Sequence, residues 1–305
     1  MNWDVVIKDF GIYLKLERSM SDNTLEGYLR DVQKLSTYLL IKEVKRTPSN
    51  IQQSDIVTFL GYLNNEFHIA TSSQARLLSA LKSFFSYLNE TDQTENNPVE
   101  LIEAPRLPQK LPDTLSVEEI DKLIEAIDLT TYEGRRNKAI LEVLYGSGIR
   151  VSELVNLKLD ALYFEEGFIK VIGKGDKERF VPIGGESIKQ VNLYLTHDRI
   201  TKSPKKGDED IVFLNRRGGK LTRVMIFTII KRLAEQIQLG KNISPHTFRH
   251  SFASHMVEGG ADLRAVQEML GHESITTTEV YTHLNKDYLQ QIITDFHPRI
   301  HQNES

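Results

Sequence analysis

Along the first part of the chain, hydrophobic positions recur at three- and four-residue steps between short polar breaks, a pattern that predicts amphipathic helices. One segment runs from Val5 to Leu16, and Ser21-Asp22-Asn23-Thr24 supplies N-cap residues for a second helix reaching Leu40. Ser54-Asp55 precedes Ile56, Phe59, Leu60 and Leu63 at helical spacing. Ser72-Ser73 opens a fourth helix whose broad apolar face carries Leu77, Leu78, Leu81, Phe84, Phe85 and Leu88. Four helices of this length make a small bundle over residues 1–95. Arg76, Ser79 and Lys82 form a polar stripe on the last of them, for which spacing alone favours a solvated helix face.

Pro98, Pro105, Pro108 and Pro112 interrupt the pattern and predict an extended linker over 96–112. A second domain, 113–305, then begins with a capping box at Ser116 and Glu119. It is mostly helical with one strand-rich island. Leu162 to Phe164, Phe168 to Ile172 and Arg179 to Ile183 are short β-prone runs, with a turn at Gly173-Lys174-Gly175-Asp176-Lys177 between the last two. A further short strand is expected at Ile211–Leu214, before Arg216-Arg217-Gly218-Gly219. Helices follow over 222–237, 245–258, 263–270, 276–283 and 287–295. The fold class is therefore mainly α, with a helical bundle preceding a mixed α+β domain that holds a small antiparallel sheet.

With 305 residues, 40% hydrophobic and 26% charged, the composition is that of a soluble globular protein. No apolar run approaches the roughly eighteen residues of a membrane span. The start, Met1-Asn2-Trp3-Asp4, lacks the basic and apolar parts of a signal peptide. With no cysteine, disulfides, zinc–thiolate sites and thiol catalysis are excluded, and a cytoplasmic location is expected. The net charge of −4 argues mildly against nucleic acid as a partner. Lys and Arg number 11 against 14 Asp and Glu up to residue 108, and 27 against 28 after it, so neither part is basic overall. DNA binding would require the positive charge to be gathered on one face. Lys174, Lys177 and Arg179, the Arg216-Arg217 pair, and Lys202, Lys205 and Lys206 are the local basic runs.

The residues that carry chemistry lie far apart in the second half. Ser244 and Pro245 suit a helix start, which places His246 and Arg249 three apart in the first turn, facing the same way. An arginine can fork two donors onto phosphate oxygens, and a histidine can exchange a proton near neutral pH. A surface histidine beside an ordinary ion-paired arginine gives the same motif. Tyr281 follows a capping box at Thr276 and Glu279, and His272 follows Gly271, a suitable C-cap. A tyrosine in a helix is usually a packing residue, but among cations and a base its phenol can attack phosphorus. Lys174 at the hairpin tip is either a solvated turn residue or a general acid for a departing alkoxide. Arg150 and Glu153 form a plain helix salt bridge, or Glu153 orients an arginine that grips phosphate.

Taken together, these residues resemble the tyrosine site-specific recombinases of the phage integrase family, in their short Xer form. The resemblance runs over nearly the whole chain. It rests on Ser21 to Thr24 with Tyr28, the Ser79–Leu88 helix, Gly146-Ser147-Gly148-Ile149-Arg150-Val151-Ser152-Glu153-Leu154, and Gly173-Lys174-Gly175-Asp176-Lys177-Glu178-Arg179. His246-Thr247-Phe248-Arg249-His250, Leu270-Gly271-His272, Val280-Tyr281-Thr282 and Phe296-His297-Pro298-Arg299 complete it. It implies a SAM-like core-binding bundle, a catalytic domain of tyrosine-recombinase fold, and a C-terminal helix, 287–297, that docks in trans on a neighbour or, in the free monomer, on its own domain. By the same resemblance Tyr281 is the nucleophile, Arg150 and Arg249 stabilise the pentacovalent phosphorus, His246 moves a proton, Lys174 protonates the leaving 5′ oxygen, and His272 bonds the phosphate. Glu153 stands behind Arg150, while Thr24, Arg76, Lys82, Lys177 and Arg179 are the expected DNA contacts. Neither metal nor cofactor is implied. The implied partners are double-stranded DNA bearing an inverted-repeat site, further protomers or a second Xer recombinase in a cyclic tetramer, and a DNA translocase of the cell-division machinery. A chain that starts directly at the bundle favours the resolution of chromosome dimers at a dif-like site. A mobile-element integrase or DNA invertase would use the same chemistry.

Overall fold

The computed structural model describes residues 2–94, 96–105, 114–173, 176–271 and 283–301. It divides into two compact units, Met1–Lys110 and Leu111–Ser305.

In the first unit, α1 (Trp3–Leu16), α2 (Asp22–Ile41), α3 (Gln53–Phe67) and α4 (Thr71–Glu90) bury the apolar positions that their periodicity marks. Phe10, Leu14, Leu35, Ile56, Phe59, Leu81, Phe84 and Leu88 are shut away from water. Aromatic rings bind the bundle across its helices. Trp3 stacks on Phe84 with ring centres 5.9 Å apart, and Phe10 meets Phe84 edge-on at 5.2 Å. Two helix starts differ from the expected caps. Helix α3 begins earlier, at an N-cap Gln52 whose N–H donates to Asp55 Oδ2 (2.9 Å), and α4 starts after Ala70, so that Ser72 and Ser73 fall inside its first turn. The Asp55 carboxylate thereby satisfies the Gln52 N–H, ahead of the start expected at Ser54. Part of the proline-marked segment also belongs to this core. Val99 is fully buried in it, held by a turn in which Asn97 Oδ1 accepts from Val99 N (3.0 Å).

The second unit opens with α5 (Val117–Glu125), capped as expected by Ser116 and Glu119. Helix α6 (Tyr132–Ser147) follows, buried over most of its length, and then the single turn α7 (Val151–Val155). Strands β1 (Leu162–Tyr163), β2 (Phe168–Ile172) and β3 (Glu178–Pro182) form an antiparallel sheet in sequence order, with Val171 opposite Arg179 and Ile169 opposite Val181. Helices α8 (Gly185–His197), α9 (Arg223–Gln236), α10 (Pro245–Gly259) and α11 (Leu263–Leu270) complete the core. The expected strand at Ile211–Leu214 is absent. That run is buried, but it makes only isolated bridges, Lys158 to Ile211 and Leu214 to Lys220. An apolar run buried on every side carries no alternation to separate a strand from a packed loop.

The chain ends in α12 (His283–Phe296) and the short α13 (Pro298–His301). Leu289, Ile292 and Ile293 are buried in the core of their own unit, against α10, α11 and β3. In this single chain the helix takes the second of its two expected places, on its own domain. The end is pinned by buried polar contacts. His297 is buried between Tyr145 and Phe252, with Nε2 donating to Tyr145 O (3.2 Å), and burial pushes its pKa down to about 4. Arg299 reaches Asp121 Oδ1 (2.8 Å) and Glu142 Oε1 (3.1 Å).

Burial also pushes the Glu142 carboxyl up to about 7, against the opposing pull of Arg299. The native state therefore keeps a proton that the unfolded chain, near the ordinary value of 4.5, has released. This contribution is complete below pH 4.5 and is lost as pH rises through 7. Relative to the parent, Glu142→Gln is expected to gain about 3 kcal/mol of stability across that window, at about 1.4 kcal/mol per pKa unit. Urea unfolding of both proteins at a series of pH values checks it; a pH-independent difference would contradict it.

Candidate active site

The site is organised by the C-terminal end of α11. A helix end leaves carbonyls without intrahelical partners and carries partial negative charge. Three consecutive carbonyls here each take a different arginine. Arg179 Nε donates to Met269 O (3.3 Å), Arg249 Nη2 donates to Leu270 O, and Arg150 Nη2 donates to Gly271 O (2.9 Å). Gly271 ends the helix in the left-handed region (φ 66°), and a Cβ there would lie 2.9 Å from Arg179 Nε. A side chain at 271 would therefore be strained and would also push into a guanidinium.

Two of these arginines come from different helices. Arg150 is the N-cap of α7, where Glu153 Oε2 accepts from its backbone N–H (2.8 Å) and Glu153 Oε1 pairs with its guanidinium (3.0 Å). Gly148, at the end of α6 (φ 59°), lets the chain turn sharply into α7; a Cβ there would sit 2.4 Å from the Phe252 ring. Arg249 projects from the first turns of α10 and donates Nη1 to Gly148 O (2.8 Å). It is 9% exposed, and burial followed by the nearby positive charge of Arg150 pushes its pKa down to about 10. Two cations held this close repel each other, so the pocket is primed for an anion.

His246 sits one residue into α10 with its ring exposed, after Pro245 at the first helical position. Partial desolvation, then the charges of Arg249, His250 and Arg150, hold its imidazolium below the ordinary histidine range. The field of both arginines therefore reaches it. At neutral pH the ring is largely the free base, ready to accept a proton.

Glu153 is the common anchor. It is 4% exposed and takes Arg179 through two parallel bonds, Nη1 to Oε1 (2.7 Å) and Nη2 to Oε2 (2.9 Å). Burial works against its charge. The bonds and charge of Arg179, and then those of Arg150, outweigh that penalty and hold the carboxyl below the ordinary carboxylate range. Arg179, expected as a DNA contact, is thus a buried support of the site, 7% exposed. Its position beside Val181 on the inward face of β3 is the reason: alternate residues of a strand share a face.

Of the other expected residues, Lys174, His272 and Tyr281 lie outside the described residues. Lys177 is exposed just ahead of β3, its carbonyl accepting from Gly173 N (2.8 Å). In the first unit, Thr24 is exposed in the first turn of α2, within hydrogen-bond distance of Ser21 Oγ (2.9 Å), and Lys82 is half-buried. Arg76 stays partly exposed but pairs with the fully buried Asp31 of α2 (2.8 Å), tying α4 to α2. Among the described residues, no three His, Cys, Asp or Glu side chains gather as metal ligands would.

Residues 113–287 match the phage integrase family, and residues 7–91 match the N-terminal SAM-like domain of phage integrases. The chain belongs to the phage integrase family. It is a tyrosine recombinase of the Xer type, a site-specific DNA recombinase that cleaves and rejoins DNA. The tyrosine recombinase XerD of Listeria monocytogenes serotype 4b is 42% identical to it over 294 residues, spanning 96% of this chain and 99% of that one. XerD of Oceanobacillus iheyensis is 42% identical over 296 residues, spanning 97% and 99%. Among solved structures, XerH bound to a palindromic difH substrate in a post-cleavage complex aligns with a TM-score of 0.70. That alignment has 26% identity and covers 94% of this chain and 84% of that chain.

For such a recombinase, Arg249→Lys is a sharp probe of the paired guanidiniums. Lysine keeps the charge but cannot bond Gly148 O and Leu270 O while also facing a phosphate. Strand cleavage under saturating protein is expected to slow about 10²–10³-fold, the usual cost of losing one preorganised donor. Single-turnover cleavage checks it, and a near-parental rate would count against phosphate gripping.

Proposed function

We propose that this recombinase resolves chromosome dimers at a dif-like inverted-repeat site, in the role of the XerD proteins it resembles, through a 3′-phosphotyrosyl intermediate. The observation that carries the reading is the convergence of Arg150 and Arg249 on adjacent carbonyls at the end of α11, with His246 in their field. In the first step the Tyr281 oxygen attacks the scissile phosphorus, forming a bond from tyrosine to the 3′ phosphate as the bond to the 5′ oxygen breaks. His246 takes the phenolic proton, and Lys174 gives a proton to the departing 5′ alkoxide. Arg150 and Arg249 balance the charge that builds on the non-bridging oxygens, and His272 adds a further bond to the phosphate. The phosphodiester's energy is kept in the covalent link, so a 5′ hydroxyl from another strand reseals it without ATP.

Exchange between two duplexes calls for four active centres. The proposed assembly is a cyclic tetramer of this chain with itself or with a second Xer recombinase, under the control of a DNA translocase of the division machinery. It acts in the cytoplasm, on the nucleoid. Among the described residues no helix is long and apolar enough to cross a membrane. The test is a nicked duplex carrying the dif-like repeat of the source chromosome. A denaturant-resistant protein–DNA adduct is expected on that duplex and not on a scrambled one. No adduct under conditions where the duplex is bound would overturn the reading.

A further inference from the structure

Behind the catalytic residues, α6 and α10 are tied together at a second point that the chemistry above does not use. The first tie is Arg249 on Gly148 O, at the C-cap of α6. The second lies about one turn earlier on α6, where the Tyr145 hydroxyl and His255 Nδ1 are 2.8 Å apart. Tyr145 is fully buried, and its ring meets the His255 ring edge-on with centres 5.8 Å apart. Along α10, His255 follows Arg249 by about 9 Å of helical rise.

Protonation gives this bond a direction. Burial holds the His255 ring below the ordinary histidine range, against the pull of Glu258, of a bond to the Leu115 backbone, and of Glu118. Burial also holds the Tyr145 phenol above its ordinary value, so it keeps its proton. With Nδ1 taken by Tyr145, the Leu115 bond falls to Nε2, which carries the proton of the neutral ring. Nδ1 is then the acceptor and Tyr145 the donor. Ser251, one turn before His255 on the same face of α10, accepts from Leu115 N (2.8 Å). Leu115 stands where the chain enters the second unit, so α10 is held from this side as well.

A single tie would let two packed helices swivel about it. Two ties, spaced along both helices, fix their separation and their register together. Arg150 follows Gly148 directly off the end of α6, and Arg249 projects from α10. The register of the two helices is therefore the register of the two guanidiniums.

We propose that His255 is a positioning residue for strand cleavage: its bond to Tyr145 locks α6 against α10 and so sets how Arg150 and Arg249 face the scissile phosphate. This rests on the reading of those arginines as the phosphate-holding pair. It adds a residue that touches neither DNA nor the reacting atoms.

The test compares Tyr145→Phe, His255→Leu and His255→Asn in single-turnover cleavage of a nicked site duplex, at protein concentrations that saturate binding. Phenylalanine keeps the buried ring and removes only the donor. Leucine removes the acceptor, whereas asparagine returns an acceptor oxygen close to the place of Nδ1. Tyr145→Phe and His255→Leu are each expected to slow cleavage about ten- to hundredfold, the order that a misplacement of up to about 1 Å costs. Duplex affinity should stay close to parental. His255→Asn should recover most of the rate. Y145F/H255L should be no slower than the slower single variant, because both changes remove the same bond. A merely structural role would instead lower thermal stability and leave the saturated cleavage rate of the folded protein at the parental value. Parental cleavage by Tyr145→Phe overturns the proposal, as does an asparagine variant as slow as the leucine one. Tyr145→Phe decides alone if leucine at 255 prevents folding. Absence of an adduct from the parent itself strikes the phosphotyrosyl reading instead. Amide exchange at Gly148, whose N–H donates to Leu144 O (3.2 Å) at the end of α6, then decides the lock. Faster exchange in Tyr145→Phe and His255→Leu than in the parent and His255→Asn supports it, and equal exchange in all four overturns it.

Discussion

Tyr281→Phe is expected to bind the site duplex nearly as well as the parent and to form no covalent adduct at all. The substitution removes one hydroxyl and keeps the ring, so the cations proposed to hold the phosphate are untouched. An ordinary phenol ionises near pH 10, and presenting its anion at neutral pH costs about 4 kcal/mol. Under the proposed mechanism the Arg150 and Arg249 guanidiniums lower that cost by favouring the anion, and His246 as base lowers it further. His246 suits the base role because desolvation, Arg249, His250 and Arg150 hold it below the ordinary histidine value of 6.5. The acid limb of the cleavage rate should accordingly lie below pH 6.5. Adduct formation on a nicked duplex, measured across pH for parent and variant, checks both parts. Persistent cleavage by the phenylalanine variant would move the nucleophile to another residue.

The periodic helices of the first unit and the β2–β3 hairpin were legible because each buries one face, and burial of one face leaves a period in the residues. The reach of α12 was legible for the same reason, but its destination was not. An amphipathic face specifies that it must be covered and says nothing of which chain covers it. Arg150, Arg249 and His246 stand out in the sequence because such residue types in those local contexts are unusual, and the structure brings the two arginines onto adjacent carbonyls. What holds them was not legible. The acceptors are main-chain carbonyls of residues 269–271, which have no side-chain signature in a sequence. Arg179, expected as a DNA contact, is buried for a related reason. Its place in a basic run suggested solvent, whereas its alternation with Val181 on β3 points inward, and only the buried Glu153 shows what neutralises it.

That pairing makes Glu153→Gln the most damaging change expected outside the reacting groups themselves. Glutamine keeps the volume and can still cap α7, but it leaves Arg150, Arg179 and Arg249 near one another with no buried negative charge. Arg179 is itself buried, so removing its partner falls among the costly cases, about 3–5 kcal/mol. The loss should depend on pH in a defined direction. The Glu153 carboxyl titrates below its ordinary value of 4.5 when folded, so its contribution is present above pH 4.5 and is lost as pH falls through the folded value. The gap between parent and Glu153→Gln should therefore narrow in acid. Cleavage should suffer as well, because Arg150 loses the bond that aims it, and a misplacement of about 1 Å is enough to slow a reaction roughly 10²-fold. Glu153→Asp, which restores the charge on a shorter stem, should recover more of the stability than of the rate. Chemical unfolding against pH, paired with single-turnover cleavage, separates the two effects. A glutamine variant with parental stability and parental cleavage would show that the carboxylate is not what assembles the arginines.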